Sequence, residues 1–233
     1  MTRPLLRGIA CDCEGLERMR LYIDSADRAV ALDLLGVGAF HGVTTNPLLM
    51  QRSRVSYKEL PSLYAAFVDA GAREVFLQAV GTTAPDLTAA GRHLASIGTR
   101  VVVKLPATDL GFRASAELVS EGVPVLVTAV YSTSQALLAA GVGAAYIAPY
   151  VGRMTDAGDD GIAAVARMQA ALAGSSTEVL AASIRETSVL DALVEEGIDA
   201  VTVSPEIAYQ MVSDSRTAEA AAQFEVAAAA LPD

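Results

Sequence analysis

The feature that most constrains the fold of this chain is an alternation of short apolar segments with longer Ala- and Leu-rich segments of helical period. Eight apolar segments have the length of a strand, and none shows the polar alternation of a strand with one solvated face. Parallel strands buried on both faces are therefore expected along the whole chain. The eight segments are residues 21–24, 42–45, 75–79, 101–105, 125–130, 146–150, 179–182 and 200–203.

The junctions between these segments support the same alternation. The chain offers helix-starting residues after the apolar segments, including Ser132 and the pair Ser204-Pro205. Where a helical segment leads into the next strand, seven junctions contain a glycine, which is expected to end the helix in a left-handed conformation without a Cβ clash. These glycines are Gly36, Gly71, Gly98, Gly122, Gly141, Gly174 and Gly197.

Eight strand-helix units in roughly 210 residues predict an α/β protein that forms a single (β/α)8 TIM barrel. Residues 1–18 are assigned to an N-terminal extension and residues 19–233 to the barrel domain. Within that domain, residues 217–231 are an extra C-terminal helix that covers the barrel or docks on a neighbouring subunit. The alternative is an open doubly wound sheet, but residues 25–27 after the first strand lack its glycine-rich phosphate loop.

Composition excludes several classes of partner. The net charge is −10 and no Lys/Arg cluster occurs, so binding to nucleic acids and to anionic membranes is disfavoured. Pro124 and Pro149 interrupt the longest uncharged stretch, which argues against a membrane span. The only cysteines, Cys11 and Cys13, have no second pair of ligands to complete a metal site, so no metal is expected. Without a secretory signal, the protein is expected to be cytoplasmic.

Polar residues stand at the ends of the apolar segments, which is where a (β/α)8 barrel carries its chemistry. A core built only for stability would avoid them, since a buried polar group without a partner costs about 1–3 kcal/mol. The first seven segments each contribute one such residue, namely Asp24, Asn46, Gln78, Lys104, Thr128, Tyr150 and Ser183.

Lys104 is the most informative of these residues. It shares a strand face with Val102, and that face is expected to form the barrel interior. Burial there would lower the pKa of the amine and leave it able to attack a carbonyl as a Schiff-base nucleophile. The alternative is a lysine at the rim that binds phosphate or pairs with Asp24. Asp24 either orients this lysine or caps the first helix.

The other strand-end residues each allow two interpretations. Asn46 hydrogen-bonds substrate hydroxyls or shapes the turn before a proline. Gln78 and Thr128 hold a water molecule with Tyr150, whose phenol transfers a proton, or all three are satisfied core residues. Arg153, together with Ser183, clamps an anionic group such as phosphate, or it forms a surface salt bridge.

Taken together, six segments resemble the transaldolase family, in its small fructose-6-phosphate aldolase-like branch. The similarity runs from Leu21 to about Met211 in order and leaves residues 1–18 uncovered. The segments are LYIDSAD at 21–27, GVTTNP at 42–47, VKLPAT at 103–108, TAVY at 128–131, APYVGR at 148–153 and LAAS at 180–183.

The resemblance implies a class I aldolase without cofactor or metal, in which Lys104 forms a Schiff base with a ketose. The implied reaction is reversible cleavage of fructose 6-phosphate, or a similar ketose phosphate, to dihydroxyacetone and glyceraldehyde 3-phosphate. It also implies a ring-like homo-oligomer of five or ten subunits. Asp24 and Asn46 are implied to assist carbinolamine formation and to bind donor hydroxyls, and Thr45 is implied to bind substrate. Gln78, Thr128 and Tyr150 are implied to exchange protons through a water. Arg153 and Ser183 are implied to bind the phosphate of the acceptor, with Arg185 beside them as an additional substrate-binding cation that shifts acceptor preference.

Two positions separate the branches of the family. True transaldolases resemble one another in having glutamate where this chain has Gln78 and phenylalanine where it has Tyr150. The aldolase-like branch is similar to this sequence at both positions, which favours aldol cleavage over transfer. Transfer of a dihydroxyacetone unit between sugar phosphates remains the first alternative. The second is a barrel that binds or isomerises a phosphosugar without a covalent intermediate.

Overall fold

The computed structural model describes residues 19–231, so the predicted extension at residues 1–18, with Cys11 and Cys13, lies outside the described residues. Eight parallel strands close into a barrel in chain order, since β8 pairs with β1. The prediction of a (β/α)8 barrel is confirmed. The strands are β1 (Arg20–Asp24), β2 (Gly42–Thr44), β3 (Glu74–Gln78), β4 (Val101–Pro106), β5 (Val125–Val130), β6 (Tyr146–Pro149), β7 (Glu178–Ala181) and β8 (Ala200–Val203).

Helices follow every strand and surround the barrel, and a short 3-10 turn at Tyr57–Glu59 precedes the third of them. Ser132 and Ser204 cap their helices as predicted, each accepting a backbone N–H with its hydroxyl. The helices are α1 (Arg28–Gly36), α2 (Pro47–Arg52), α3 (Leu60–Asp69), α4 (Ala84–Ala95), α5 (Asp109–Ser120), α6 (Thr133–Gly141), α7 (Val151–Asp156), α8 (Gly161–Ala171), α9 (Ser188–Glu195), α10 (Pro205–Gln210) and α11 (Ser215–Ala229).

The strands divide the buried side chains into two sets. One set packs between the strands and the helices and contains most of the apolar core. The other fills the barrel interior, where the ring of Phe76 packs edge-to-face against Tyr22 at 5.3 Å and against Tyr146 at 5.4 Å. Val102 belongs to this interior set, as its predicted face requires. Residues two positions further along each strand therefore rise from the interior toward the carboxyl end of the barrel.

The prediction for the helix-ending glycines is only partly correct. In the junctions predicted at Gly36 and Gly141, the residue with a positive φ is the glycine two positions later, Gly38 and Gly143 respectively. Gly98 does not have a positive φ, and its small size is needed because a Cβ there would lie 2.3 Å from the ring of Tyr64. Four of the seven predicted glycines do adopt a positive φ, namely Gly71, Gly122, Gly174 and Gly197.

The predicted C-terminal helix is present as α11, but it buries none of its own residues. Phe224 and Val226 on this helix are 71% and 74% exposed, and Leu231 just after it is 73% exposed. Over residues 19–231, no helix combines the length and the apolar character that crossing a membrane requires.

Candidate active site

A cavity of about 680 Å³ opens at the carboxyl ends of the strands. Its position agrees with the general location of active sites in this fold. Seven of the ten side chains predicted for the site line it, and Thr45, Gln78 and Thr128 do not. The seven are Asp24, Asn46, Lys104, Tyr150, Arg153, Ser183 and Arg185.

Lys104 lies on β4, lines this cavity and is 5% exposed. Its Nζ donates a hydrogen bond to the backbone oxygen of Thr45 at 2.8 Å. Burial lowers the pKa of the amine, while the nearby carboxylate of Asp24 raises it. The net lowering brings the amine closer to the neutral form that can act as a nucleophile.

Asp24 ends β1 and faces the same cavity. Burial raises the pKa of its carboxyl group, and Lys104 and a hydrogen bond from Thr44 oppose that rise. The Thr44 hydroxyl donates to Oδ1 at 2.6 Å. The alternative role as a helix cap is wrong, because Asp27 caps α1 by accepting the N–H of Val30. Asp24 is therefore free to interact with the lysine.

Asn46 and Thr45 contribute to the site in different ways. Asn46 caps α2, since its Oδ1 accepts the backbone N–H groups of Leu48 and Leu49 at 3.0 Å each. Its side-chain nitrogen is then the donor left for a ligand in the cavity. The side chain of Thr45 is fully buried and donates to the backbone oxygen of Phe76 at 2.9 Å. Thr45 contacts the site through its backbone oxygen, which holds Lys104.

Tyr150 brings a phenol to the cavity wall, where its oxygen lies 3.0 Å from the hydroxyl of Thr128. Burial raises the pKa of the phenol, and the contact with Thr128 opposes that rise. The phenol therefore carries its proton at neutral pH and can donate it. Gln78 ends β3, and its Cα pairs with that of Lys104 on the neighbouring strand β4. The two residues therefore lie at the same height along the barrel.

An irregularity in β5 accompanies the contact between Thr128 and Tyr150. The pairing with β6 shifts by one residue between Thr128 and Val130, and Ala129 between them has a φ of 56°. A positive φ is uncommon for a residue with a Cβ. Bulges of this kind re-aim side chains next to functional sites. The bulge therefore distorts the end of β5 where Thr128 contacts Tyr150.

Three further predicted residues form one side of the cavity. The guanidinium of Arg153 lies 4.8 Å from the ring centroid of Tyr150. Arg185 forms an exposed ion pair with Asp156 at 3.1 Å. Ser183 lies two residues before Arg185 in the segment after β7, and a Cβ at Gly152 would come within 2.3 Å of its backbone oxygen, so only glycine allows this approach to α7. Two cationic residues and a serine thus lie close together in the wall of the cavity.

Sequence reasoning missed two residues of the site, Thr44 and Thr202. Both are buried polar residues that line the cavity, and their hydroxyl oxygens lie 2.7 Å apart. Strand parity could have indicated them, because Thr202 shares the interior face of Ala200, and Thr44 is the residue opposite Asp24. Among the described residues, no group of three or more His, Cys, Asp or Glu side chains is arranged to hold a metal ion.

Comparison with known proteins gives a consistent family match. Residues 21–231 match the transaldolase/fructose-6-phosphate aldolase family. A probable transaldolase from Moorella thermoacetica is 36% identical over 208 residues, which cover 88% of this chain and 95% of that protein. A probable transaldolase from a Caulobacter species is 39% identical over 190 residues, covering 80% of this chain and 86% of the relative.

Solved structures with low sequence identity share the fold. A thiamine phosphate pyrophosphorylase from Pyrococcus furiosus has a TM-score of 0.59 at 17% identity, covering 80% of this chain and 85% of that one. A mandelate oxidase has a TM-score of 0.56 at 17% identity, covering 81% of this chain and 65% of that one. At such identity the likeness concerns the barrel alone.

Proposed function

The chain belongs to the transaldolase/fructose-6-phosphate aldolase family, and from that premise we propose that it is a class I aldolase. It is an enzyme of sugar phosphate metabolism, and the proposed reaction is reversible cleavage of fructose 6-phosphate, or a similar ketose phosphate, to dihydroxyacetone and glyceraldehyde 3-phosphate. The observation that carries the proposal is a buried lysine, Lys104, which lines the same polar cavity as the carboxylate of Asp24.

In the first step, the neutral amine of Lys104 attacks the C2 carbonyl carbon of the ketose. The nitrogen loses a proton and the carbonyl oxygen gains one, which gives a carbinolamine. The oxygen then takes a second proton and leaves as water, so that a protonated imine joins Lys104 to C2. Asp24 serves as the group that moves protons between nitrogen and oxygen, which its place in the same cavity supports.

In the second step, the bond between C3 and C4 breaks. The C4 hydroxyl loses its proton as C4 becomes the aldehyde carbon of glyceraldehyde 3-phosphate. The electron pair of the broken bond moves toward the imine and leaves an enamine on Lys104. The phenol of Tyr150 gives its own proton to C3 of the enamine and takes up the C4 proton through a water held by Thr128 and Gln78, so that the phenol ends the step protonated. Water then hydrolyses the imine and releases dihydroxyacetone.

The phosphate of the substrate lies at the end of the cavity formed by Arg153, Ser183 and Arg185. A guanidinium fork matches the geometry of phosphate oxygens. Asp156 competes with the substrate for Arg185, whereas Arg153 stacks against Tyr150. Arg153 is therefore the principal phosphate ligand, and Arg185 adjusts the preference for the acceptor. Asn46 binds the hydroxyls of the donor half with its side-chain nitrogen.

Transfer of the dihydroxyacetone unit to a second aldehyde is the other candidate, and the names of the relatives favour it. The phenol of Tyr150 and the neutral amide of Gln78 favour release of the free ketone instead. The test is product partitioning from fructose 6-phosphate with and without erythrose 4-phosphate. We expect dihydroxyacetone release to dominate in the wild type. Transfer much faster than release would replace the aldolase proposal with transaldolase.

A double variant sharpens this test. Tyr150→Phe with Gln78→Glu replaces the phenol and supplies a carboxylate base in the same water network. We expect the ratio of transfer to release to rise relative to the wild type and to Tyr150→Phe alone. An unchanged ratio in the double variant would remove these two residues as the determinants of the reaction.

The assembly that we propose is a ring-like homo-oligomer of five or ten subunits. Its support is α11, which buries none of its own residues and carries an apolar patch. Such exposed apolar surface is typical of an interface. Light scattering of the wild type should give a mass near five or ten subunits, and Phe224→Glu should lower it. A wild-type monomer at micromolar concentration would contradict the proposal.

A further inference from the structure

Two buried threonine hydroxyls form a chain that ends on Asp24. Thr44 ends β2 and Thr202 lies within β8. These two strands pair with β1 on its opposite edges, so they are not neighbours of each other. The hydroxyl oxygens of the two threonines nevertheless meet at 2.7 Å inside the barrel, and that of Thr44 lies 2.6 Å from Oδ1 of Asp24. Thr44 is fully buried and Thr202 is 3% exposed, so water competes little with these contacts.

The direction of the hydrogen bonds follows from the number of protons. An ionised Asp24 can only accept, so the single hydroxyl proton of Thr44 points to Oδ1. In the contact between the two threonines, Thr202 must then be the donor. The chain therefore runs in one direction, from Thr202 through Thr44 to Asp24, and every proton in it has an acceptor. If Asp24 were protonated and donated to Thr44, the chain would reverse and the proton of Thr202 would need an acceptor elsewhere.

We propose that Thr202 is a positioning residue for the imine-forming step, because its hydroxyl fixes that of Thr44 as the donor that holds the Asp24 carboxylate beside Lys104. The inference rests on the proposed function, since it concerns the carboxylate that moves protons around the lysine. Thr202 acts through Thr44 and Asp24, and it is not itself a proton carrier. Its role is to keep one carboxylate oxygen bound, so that the other is presented to the reacting atoms.

The experiment measures the rate at which dihydroxyacetone forms an imine with the protein, trapped by cyanoborohydride and followed by mass spectrometry. Thr202→Val removes the hydroxyl and keeps the shape of the side chain, whereas Thr202→Ser keeps the hydroxyl. We expect Thr202→Val to slow imine formation about fivefold, the effect of one ordinary hydrogen bond, and Thr202→Ser to restore the rate to within about twofold.

A matched control separates this role from a general loss of packing. Thr177 is another buried threonine, 5% exposed, whose hydroxyl donates to the backbone oxygen of Ala144 at 2.7 Å near the start of β7. Thr177→Val should lower the thermal stability in the same way as Thr202→Val and leave imine formation unchanged. Equal slowing in both variants would overturn the inference.

A double-mutant cycle tests whether Thr202 acts through Asp24. Asp24→Asn should slow trapping by itself, and adding Thr202→Val to it should change the rate by less than about twofold, since the group that Thr202 serves is already gone. A further fivefold loss in that background, or no effect of Thr202→Val in the wild type, would overturn the inference alone. Failure of the wild type to trap dihydroxyacetone would instead overturn the proposed function, and this inference with it.

Discussion

The carboxylate of Glu74 accepts hydrogen bonds from two phenols at the amino end of the barrel, opposite the cavity. Replacing Glu74 by glutamine should therefore destabilise the fold strongly. The phenols of Tyr22 and Tyr146 both donate to its carboxylate, the second at 2.9 Å. Burial raises the pKa of Tyr22, and it raises that of Tyr146 to about 12, so both phenols keep their protons and remain donors. The imidazole of His41 lies 3.6 Å from the same carboxylate.

The size of the effect follows from these contacts. A hydrogen bond to a charged group contributes about 1.5–3 kcal/mol, and Glu74 accepts two from phenols. Glutamine offers one acceptor oxygen, so it keeps one neutral bond of about 1 kcal/mol and turns its NH2 group toward the other phenol. Glu74→Gln should therefore lower the free energy of unfolding by about 2–5 kcal/mol.

Urea denaturation followed by circular dichroism measures this change, at one protein concentration for all variants. The chain has no tryptophan, so fluorescence would report less directly. Glu121→Gln is the matched control, because Glu121 makes an exposed ion pair with Arg92 between α4 and α5. Exposed pairs contribute little to stability. If Glu74→Gln unfolds at the same urea concentration as Glu121→Gln, the claim that the hydrogen bonds of Glu74 stabilise the amino end of the barrel is refuted.

Three further outcomes are expected. Tyr150→Phe should lower kcat for cleavage by about 10² while leaving the trapping rate nearly unchanged, and equal losses in both would remove its role in breaking the C3–C4 bond. Burial lowers the pKa of His41 from its ordinary 6.5, so the unfolded chain takes up a proton that the folded chain does not. Stability should therefore fall as the pH drops through about 6.5, and His41→Gln should flatten that fall in urea denaturation series at several pH values. Treatment with EDTA should leave cleavage unchanged, and a loss that zinc restores would contradict the metal-free mechanism.

The sequence predicted the strands and the buried position of Lys104 well, because both depend on local patterns. Apolar runs set each strand to within one or two residues, and parity with Val102 placed Lys104 in the interior. The contact between Thr44 and Thr202 could not be read in the same way. It depends on the stagger of strands around the closed barrel, which brings together hydroxyls from strands that are not neighbours.

A local sequence pattern does not show whether a residue contacts the site through its side chain or through its backbone. The family resemblance implies substrate binding for Thr45, which precedes Asn46 in the motif GVTTNP. Its side chain instead faces away from the cavity and bonds to Phe76, and only its carbonyl reaches Lys104. Alternation of faces along β2 explains this, since Thr44 and Thr45 must point to opposite sides.

The most direct test of the central claim uses the small number of amines in this chain. Lys104 and Lys58 are its only lysines, and Lys58 lies in the exposed 3-10 turn before α3. Borohydride reduction in the presence of dihydroxyacetone, followed by peptide mass spectrometry, should place one adduct on Lys104. Lys58→Met should keep both the adduct and the activity, and Lys104→Met should lose both while its circular dichroism is unchanged. Trapping that persists in Lys104→Met, or cleavage without any adduct in the wild type, would contradict the Schiff-base account.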